Sequence, residues 1–329
     1  PTGVTGGSLG GCLPFPGAGP RPFGIRLRSA LGASGSASVD VPAGFSASPE
    51  QVPFQLAAGG ETTLTFRVKP PREASSGTLK AFATVDGDRF GRGLQRVDHS
   101  HIPVQTWLPL AEVRLTRADV LHARHRIAYV SGPGDEVPDA LRQAGYEVTL
   151  VGSQELRDRP IDRFDAVVFG IRAFNVDPKL AGLHDVLMAF VEQGGVVVVQ
   201  YLTNNWVSGG PPEIGPYPFT IGRGRVTDED AKVDTSPSPV LSKPNPLGAS
   251  DWAGWVQERG LYFADRWDDR YATPLSMSDP GEKPQRGALL VGKYGKGAFV
   301  YTGLSFFRQL PAGVPGAFRL FANLIDDGR

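Results

Sequence analysis

The side chains able to do chemistry are few and scattered. His99, His101, His122, His125, His184 and the single Cys12 are the whole supply of imidazole and thiol. His99-Ser100-His101 puts two imidazoles on one face of an extended segment, a spacing some metal sites use. No carboxylate or third histidine follows at ligand spacing. His122 and His125 are expected at the surface, and His184 inside a helix without a partner. One cysteine excludes a disulfide within the chain and argues against a cysteine-ligated zinc. There is no Gly-x-Ser-x-Gly elbow, His-Glu-x-x-His helix or Walker loop. No catalytic residue and no metal ligand is assigned on these grounds.

Binding chemistry is better represented. Open parallel sheets take ligands beyond the carboxyl ends of their strands, and three loops here follow apolar strands. In Ser131-Gly132-Pro133-Gly134-Asp135-Glu136, glycines would let backbone N–H groups approach a ligand. The plainer reading is a turn in which Asp135 or Ser131 caps the next helix. In Gly170-Ile171-Arg172-Ala173-Phe174-Asn175, Arg172 could clamp a carboxylate or a sugar hydroxyl, or pair with a nearby acid. In Tyr201-Leu202-Thr203-Asn204-Asn205-Trp206, Asn204 and Asn205 beside Trp206 suit a sugar, or serve the loop's own structure. The aromatic run Trp252 to Phe263 either packs as a satellite core or lines a binding face, and Gln257, Glu258 and Arg259 are its polar candidates.

The elements that must position these loops change character along the chain. Residues 1–22 are too poor in apolar side chains to fold alone and read as a low-complexity linker or the edge of a fragment. Over 23–108 the pattern is short and extended. Thr63-Leu64-Thr65-Phe66-Arg67-Val68 alternates as a half-buried strand, Ala37–Val41, Phe54–Leu56 and Leu79–Val85 are further strands, and turn residues recur between them. An immunoglobulin-like β-sandwich is expected there. Residues 109–125 are a connector.

From Arg126 strands and helices alternate. Ile127–Val130, Glu147–Val151, Asp165–Phe169 and Val196–Gln200, the last read as a strand buried on both faces, are separated by helical stretches over Glu136–Ala144 and Lys179–Gln193. An α/β domain of flavodoxin-like type with a mostly parallel sheet is expected over 126–327. It carries a long irregular insertion at about 204–284, a hairpin of Gly287–Val291 and Ala298–Thr302, and a closing helix over Gly316–Ile325.

Lys plus Arg and Asp plus Glu are equal at 34 each. That balance lacks the excess basic charge of a nucleic-acid footprint. No stretch approaches the roughly 20 apolar residues of a membrane span.

Two segments carry a family resemblance. Trp255-Val256-Gln257-Glu258-Arg259-Gly260-Leu261-Tyr262-Phe263 and the run from Tyr301 through Phe306-Phe307-Arg308-Gln309 to Ala317 resemble the C-terminal region of large bacterial PIG-L (LmbE-like) deacetylases. His101-Ile102-Pro103-Val104-Gln105-Thr106-Trp107 resembles the connector there. The α/β part looks like a class I glutamine amidotransferase domain without its nucleophile. Where that fold mounts a cysteine, the strand Val196–Gln200 leads into Tyr201-Leu202-Thr203. The resemblance implies a zinc-bearing N-terminal domain that removes N-acetyl groups from amino sugars, using a His-Pro-Asp-Asp-Glu type loop and a His-x-x-His. This sequence holds only the second spacing, at His122 and His125, so no zinc is expected here and none of the family's catalytic residues transfers. It further implies a carbohydrate or amino-sugar partner, a deacetylase domain in cis, and a secreted or periplasmic setting. Three readings stay open: an accessory carbohydrate-binding or scaffolding region, a hydrolase working through Glu258 or Asp135, and a structural docking module.

Overall fold

The computed structural model describes residues 2–6, 11–98, 101–158, 160–204 and 213–327. The chain forms two compact units, Pro1–Asp119 and Val120–Arg329. Both are rich in strand.

In the first unit two sheets share one core. One sheet runs in the order Thr2–Gly6, Arg21–Ser29, Glu61–Lys69, Ser46–Ser48. The other runs Cys12–Phe15, Glu112–Arg117, Ser75–Val85, Ala33–Asp40, Gln51–Leu56, with Asp88–Phe90 added to Ser75–Val85. Alternate residues point inward, as the two-residue strand period requires. Ile25, Leu27, Phe66 and Val68 from the first sheet meet Ala37, Leu79, Ala81 and Leu115 from the second.

Two expectations are corrected here. The 1–22 segment is no linker throughout, because Cys12–Phe15 pairs in parallel with Glu112–Arg117. The 109–125 connector likewise contains a sandwich strand, since Val113 and Leu115 are buried in that core. Neither strand can be seen locally, because each is completed by a partner about a hundred residues away.

The second unit is built on a seven-stranded sheet. Glu147–Leu150, Arg126–Val130, Ala166–Phe169, Val196–Gln200 and Gly297–Thr302 lie side by side and parallel. Leu289–Tyr294 and then Tyr271–Ala272 continue it antiparallel. The central strands are covered on both faces, which is why they read as unbroken apolar runs. On one face Tyr129, Val168, Val198 and Val300 meet the helices Val137–Gln143 and Pro315–Asp326 through Leu141, Phe318, Phe321 and Leu324. On the other, Val130, Phe169, Val199 and Phe299 meet Leu187 and Val191 of the helix His184–Glu192. Each such fully buried Leu or Phe contributes about 2 kcal/mol of transfer free energy.

The Lys179–Gln193 helix is two pieces. A 3-10 segment, Pro178–Leu183, begins where Asp177 accepts a hydrogen bond from Lys179 N, and the α-helix starts only at His184. Two short helices, Ser153–Asp158 and Ala173–Val176, had no sequence signal.

The 204–284 insertion is not irregular either. Phe219–Val226 pairs with Gly260–Trp267, and Val233–Thr235 with Leu275–Met277. Trp252, Trp255 and Phe263 are buried with the helix Pro315–Asp326 in the main core, so the aromatic run is largely packing. No helix among the described residues is long and apolar enough to cross a membrane.

Candidate functional site

The carboxyl ends of the parallel strands bring several of the candidate residues to one rim. The loop after Ala166–Phe169 and the loop after Val196–Gln200 are zipped together. Arg172 N donates to Tyr201 O at 2.9 Å, Thr203 N to Asn175 Oδ1 at 2.9 Å, and Asn175 Nδ2 to Thr203 O at 3.2 Å. Arg172 is held with φ +57°, in the left-handed region that costs a side-chain-bearing residue about 1 kcal/mol or more. The residue is exposed. Asn204 follows, half-buried. Asn205 and Trp206, named with it as sugar-binding candidates, lie outside the described residues.

Tyr201 stands at the turn where the strand Val196–Gln200 ends. Its ring stacks on Tyr262, with centroids 5.5 Å apart and planes 14° from parallel, and leans on Phe307 at 5.4 Å. Tyr262 is placed by Tyr301, whose hydroxyl donates to Tyr262 O at 2.6 Å, and by its own left-handed backbone at φ +53°. The three rings are each only half-buried and form an aromatic wall at the rim. Burial pushes the Tyr201 phenol above its ordinary value; Arg172 draws it down, and Tyr262 and Glu258 push it up. A phenol protonated at neutral pH is no nucleophile.

Glu258 reaches the same rim and is committed to it. Its carboxylate accepts from Arg308 Nε at 2.7 Å, and its backbone carbonyl accepts from Ser305 Oγ at 2.8 Å and Gln309 Nε2 at 3.2 Å. Gln257, exposed and at φ +65°, sits beside it. Arg259 does not belong to the rim. It is 3% exposed, and its guanidinium donates to Ala231 O at 3.1 and 2.9 Å and to Trp252 O, above the Trp255 ring. Burial pulls its pKa down. It ties the insertion together and has no free edge for a ligand.

Asp135 is also spent on structure. It accepts from the Tyr129 hydroxyl at 2.7 Å, from Gly132 N at 3.2 Å and from Val137 N at 3.1 Å. A Cβ on Gly170 would stand 1.9 Å from Asp135 Oδ2, and one on Gly132 would stand 1.8 Å from Ile171 O. The carboxylate therefore plugs the gap between the first and third strand ends, where the strand order reverses. Burial raises its pKa, and the Tyr129 and backbone bonds oppose the rise. Beneath it Gln200 Nε2 donates to the Tyr129 hydroxyl at 2.8 Å.

The histidines among the described residues are not gathered at one place. His99 lies outside the described residues, and His101 is exposed. His122 stacks on Tyr146 at 4.2 Å with His125 edge-on at 4.8 Å, while the loop between them is held by Asp326. His184 opens its helix rather than sitting inside it, and its Nε2 lies 3.1 Å from Gly215 O, so it does have a partner. Among the described residues no group of three or more His, Cys, Asp or Glu could hold a metal ion. Burial pushes the Cys12 thiol up to about 11, and its sulfur bonds Thr116.

Sequence reasoning missed Tyr262, Phe307 and Arg308 as rim residues. The Phe306-Phe307-Arg308-Gln309 run was visible, but nothing local says that it faces Tyr201.

No family model matches the chain, and no curated protein matches it. Among solved structures, a β-galactosidase from Rahnella sp. R3 aligns at 16% identity over 61% of this chain and 31% of that one, with a TM-score of 0.35. A β-galactosidase from Bacillus circulans sp. alkalophilus aligns at 11% identity over 62% and 31%, TM-score 0.31. An MSP-domain-like protein of Caenorhabditis elegans, SSP-19, aligns at 7% over 33% and 94%, TM-score 0.20. The chain spans about a third of the length of these β-galactosidases. Likenesses this distant carry no argument about function.

Proposed function

We propose that this chain is a non-catalytic, carbohydrate-binding accessory region of a larger PIG-L (LmbE-like) deacetylase. In this reading the first unit is an immunoglobulin-like sandwich. The second is a flavodoxin-like domain of class I amidotransferase type that has lost its nucleophile. The parallel strands support the second assignment, because in chain order they run 2-1-3-4-5 across the sheet. The deacetylase domain, with its zinc, would be a partner in cis.

The observation that carries the reading is Tyr201 at the turn after Val196–Gln200. Where acyl-transfer chemistry would need a thiol with a base in reach, the chain offers a protonated phenol stacked on Tyr262. A half-exposed aromatic wall bordered by Arg172, Asn204 and the Glu258–Arg308 pair suits a sugar. Apolar ring faces stack, and flanking polar groups take hydroxyls.

The test is a calorimetric titration of the full chain with β-1,4-linked glucosamine and N-acetylglucosamine oligomers. Saturable binding that weakens about tenfold in Tyr201→Ala supports the proposal. Binding untouched by that change sinks it. Turnover of the N-acetylated oligomers, abolished in Glu258→Gln, would favour a hydrolase instead. Absence of any binding would favour a docking module.

A further inference from the structure

Eight of the twelve exposed large apolar side chains among the described residues lie between Phe90 and Leu110, in the sandwich unit. This stretch leaves the sheet as a paired arm. Ala111 N donates to Gly91 O at 3.0 Å, Gly93 N donates to Pro109 O at 2.8 Å, and Gln95–Val97 then pairs with Gln105–Trp107. A ribbon with so few paired residues has no core of its own. Leu94, Trp107, Leu108 and Leu110 are 40 to 63% exposed on it, and such a concentration marks a contact surface.

At the base of the arm is a groove of about 780 Å³. Its walls carry Arg28, Arg89, Arg92 and Arg96, with Phe90, Leu94 and Leu108 between them and no acidic residue in the lining. Arg89 pairs with Asp40 at 2.8 Å and Arg96 with Asp98 at 2.9 Å. Arg28 and Arg92 have no carboxylate partner among the described residues; Arg92 is steadied by Leu108 O at 2.9 Å. The chain as a whole is neutral, and with Arg89 and Arg96 offset by Asp40 and Asp98, Arg28 and Arg92 leave a local excess of two positive charges at the groove that favours an anion. A second groove of about 430 Å³ shares Arg92 and Leu108 and continues past Trp107 and Leu110, with Gln95 and Glu112 also in its lining.

We infer that this groove binds an acidic peptide segment of a partner protein, anchored by a bulky apolar side chain. The apolar lining of the larger groove is mostly aliphatic and holds no side-chain amide to read sugar hydroxyls, which disfavours a glycan there. Guanidinium groups give bidentate geometry to carboxylates, and the recess takes one large side chain. The two adjoining grooves give an extended segment room to run on. This inference is independent of the sugar reading of the second unit.

The test selects a displayed library of short random peptides on the full chain. The expected result is enrichment of peptides with several Asp or Glu flanking Phe, Leu or Trp. A synthetic copy should bind about tenfold more weakly to Arg28→Glu and to Leu94→Ser, and more weakly at high salt. Arg28 is exposed and makes no salt bridge, although Arg28→Glu sets a second carboxylate across the strand pair from Glu61, so an unchanged circular dichroism spectrum and melting temperature check that the fold is kept. Peptides without acids, peptides indifferent to Arg28→Glu, or no enrichment would each overturn the inference. So would binding of heparin or of phosphatidylglycerol vesicles that is lost in Arg28→Glu while no peptide is selected.

Discussion

Tyr201 and Tyr262 lie with their rings 5.5 Å apart and nearly parallel, although sixty residues separate them in the chain. Tyr301 fixes one of the pair through the carbonyl of Tyr262, and Arg172 meets the other through the carbonyl of Tyr201. The aromatic wall is thus positioned by backbone on both sides, which gives it a defined place at the rim.

Replacing Tyr201 by Ala should cost about 1 kcal/mol of stability through lost ring contacts and weaken oligosaccharide binding about tenfold. Tyr201→Phe should keep both within a factor of about three, because stacking rather than the hydroxyl is invoked. Thermal melting and calorimetry on the two variants read this difference.

Arg259→Met should destabilise the second unit by about 3 kcal/mol or more, since it strands the buried carbonyls of Ala231 and Trp252. Sugar affinity of the folded protein should be unchanged. Urea unfolding and titration separate the two effects, and a selective loss of affinity would return Arg259 to the site.

Gly132→Ala should cost about 3 kcal/mol, because its Cβ would meet the Ile171 carbonyl oxygen at 1.8 Å and backbone must move. Gly152→Ala is the control. Nothing lies within 4 Å of its Cβ, so its effect should stay within about 0.5 kcal/mol. Denaturant midpoints measure both.

Asp165 carries a pH-dependent share of stability. Burial pushes its carboxyl up, but the Arg126 guanidinium and the N–H groups of Arg126 and His125 outweigh this and hold it at about 2. A folded pKa below the unfolded value of roughly 3.9 means stability that is complete above about pH 4 and lost as pH falls toward 2. Asp165→Asn should therefore cost about 1 kcal/mol at neutral pH, after allowance for solvent screening of this exposed pair. The difference from the parent should vanish near the acid end, which urea unfolding across pH would read.

The sequence by itself determined the run of strands that forms the parallel sheet of the second unit, though not the helices Ser153–Asp158 and Ala173–Val176 or the strands within 204–284. Val196–Val199 is apolar at every position because both of its faces are covered. It also showed the sandwich strand around Thr63–Val68, where alternation is local, and the lack of a thiol after Val196–Gln200. These are statements about near neighbours, and near neighbours are what a sequence records.

Only the tertiary structure decided what is completed across long separations. Cys12–Phe15 became a strand because Glu112–Arg117 lies beside it. Phe219–Val226 became one because Gly260–Trp267 does. The same holds at the rim. Glu258 and Arg259 are adjacent, yet one faces Arg308 at the rim and the other is buried against Ala231. Neither residue lies in a strand, because Gln257 turns the chain at φ +65° and Gly260–Trp267 begins only after them. Which side meets solvent is fixed by packing partners that local sequence does not reveal.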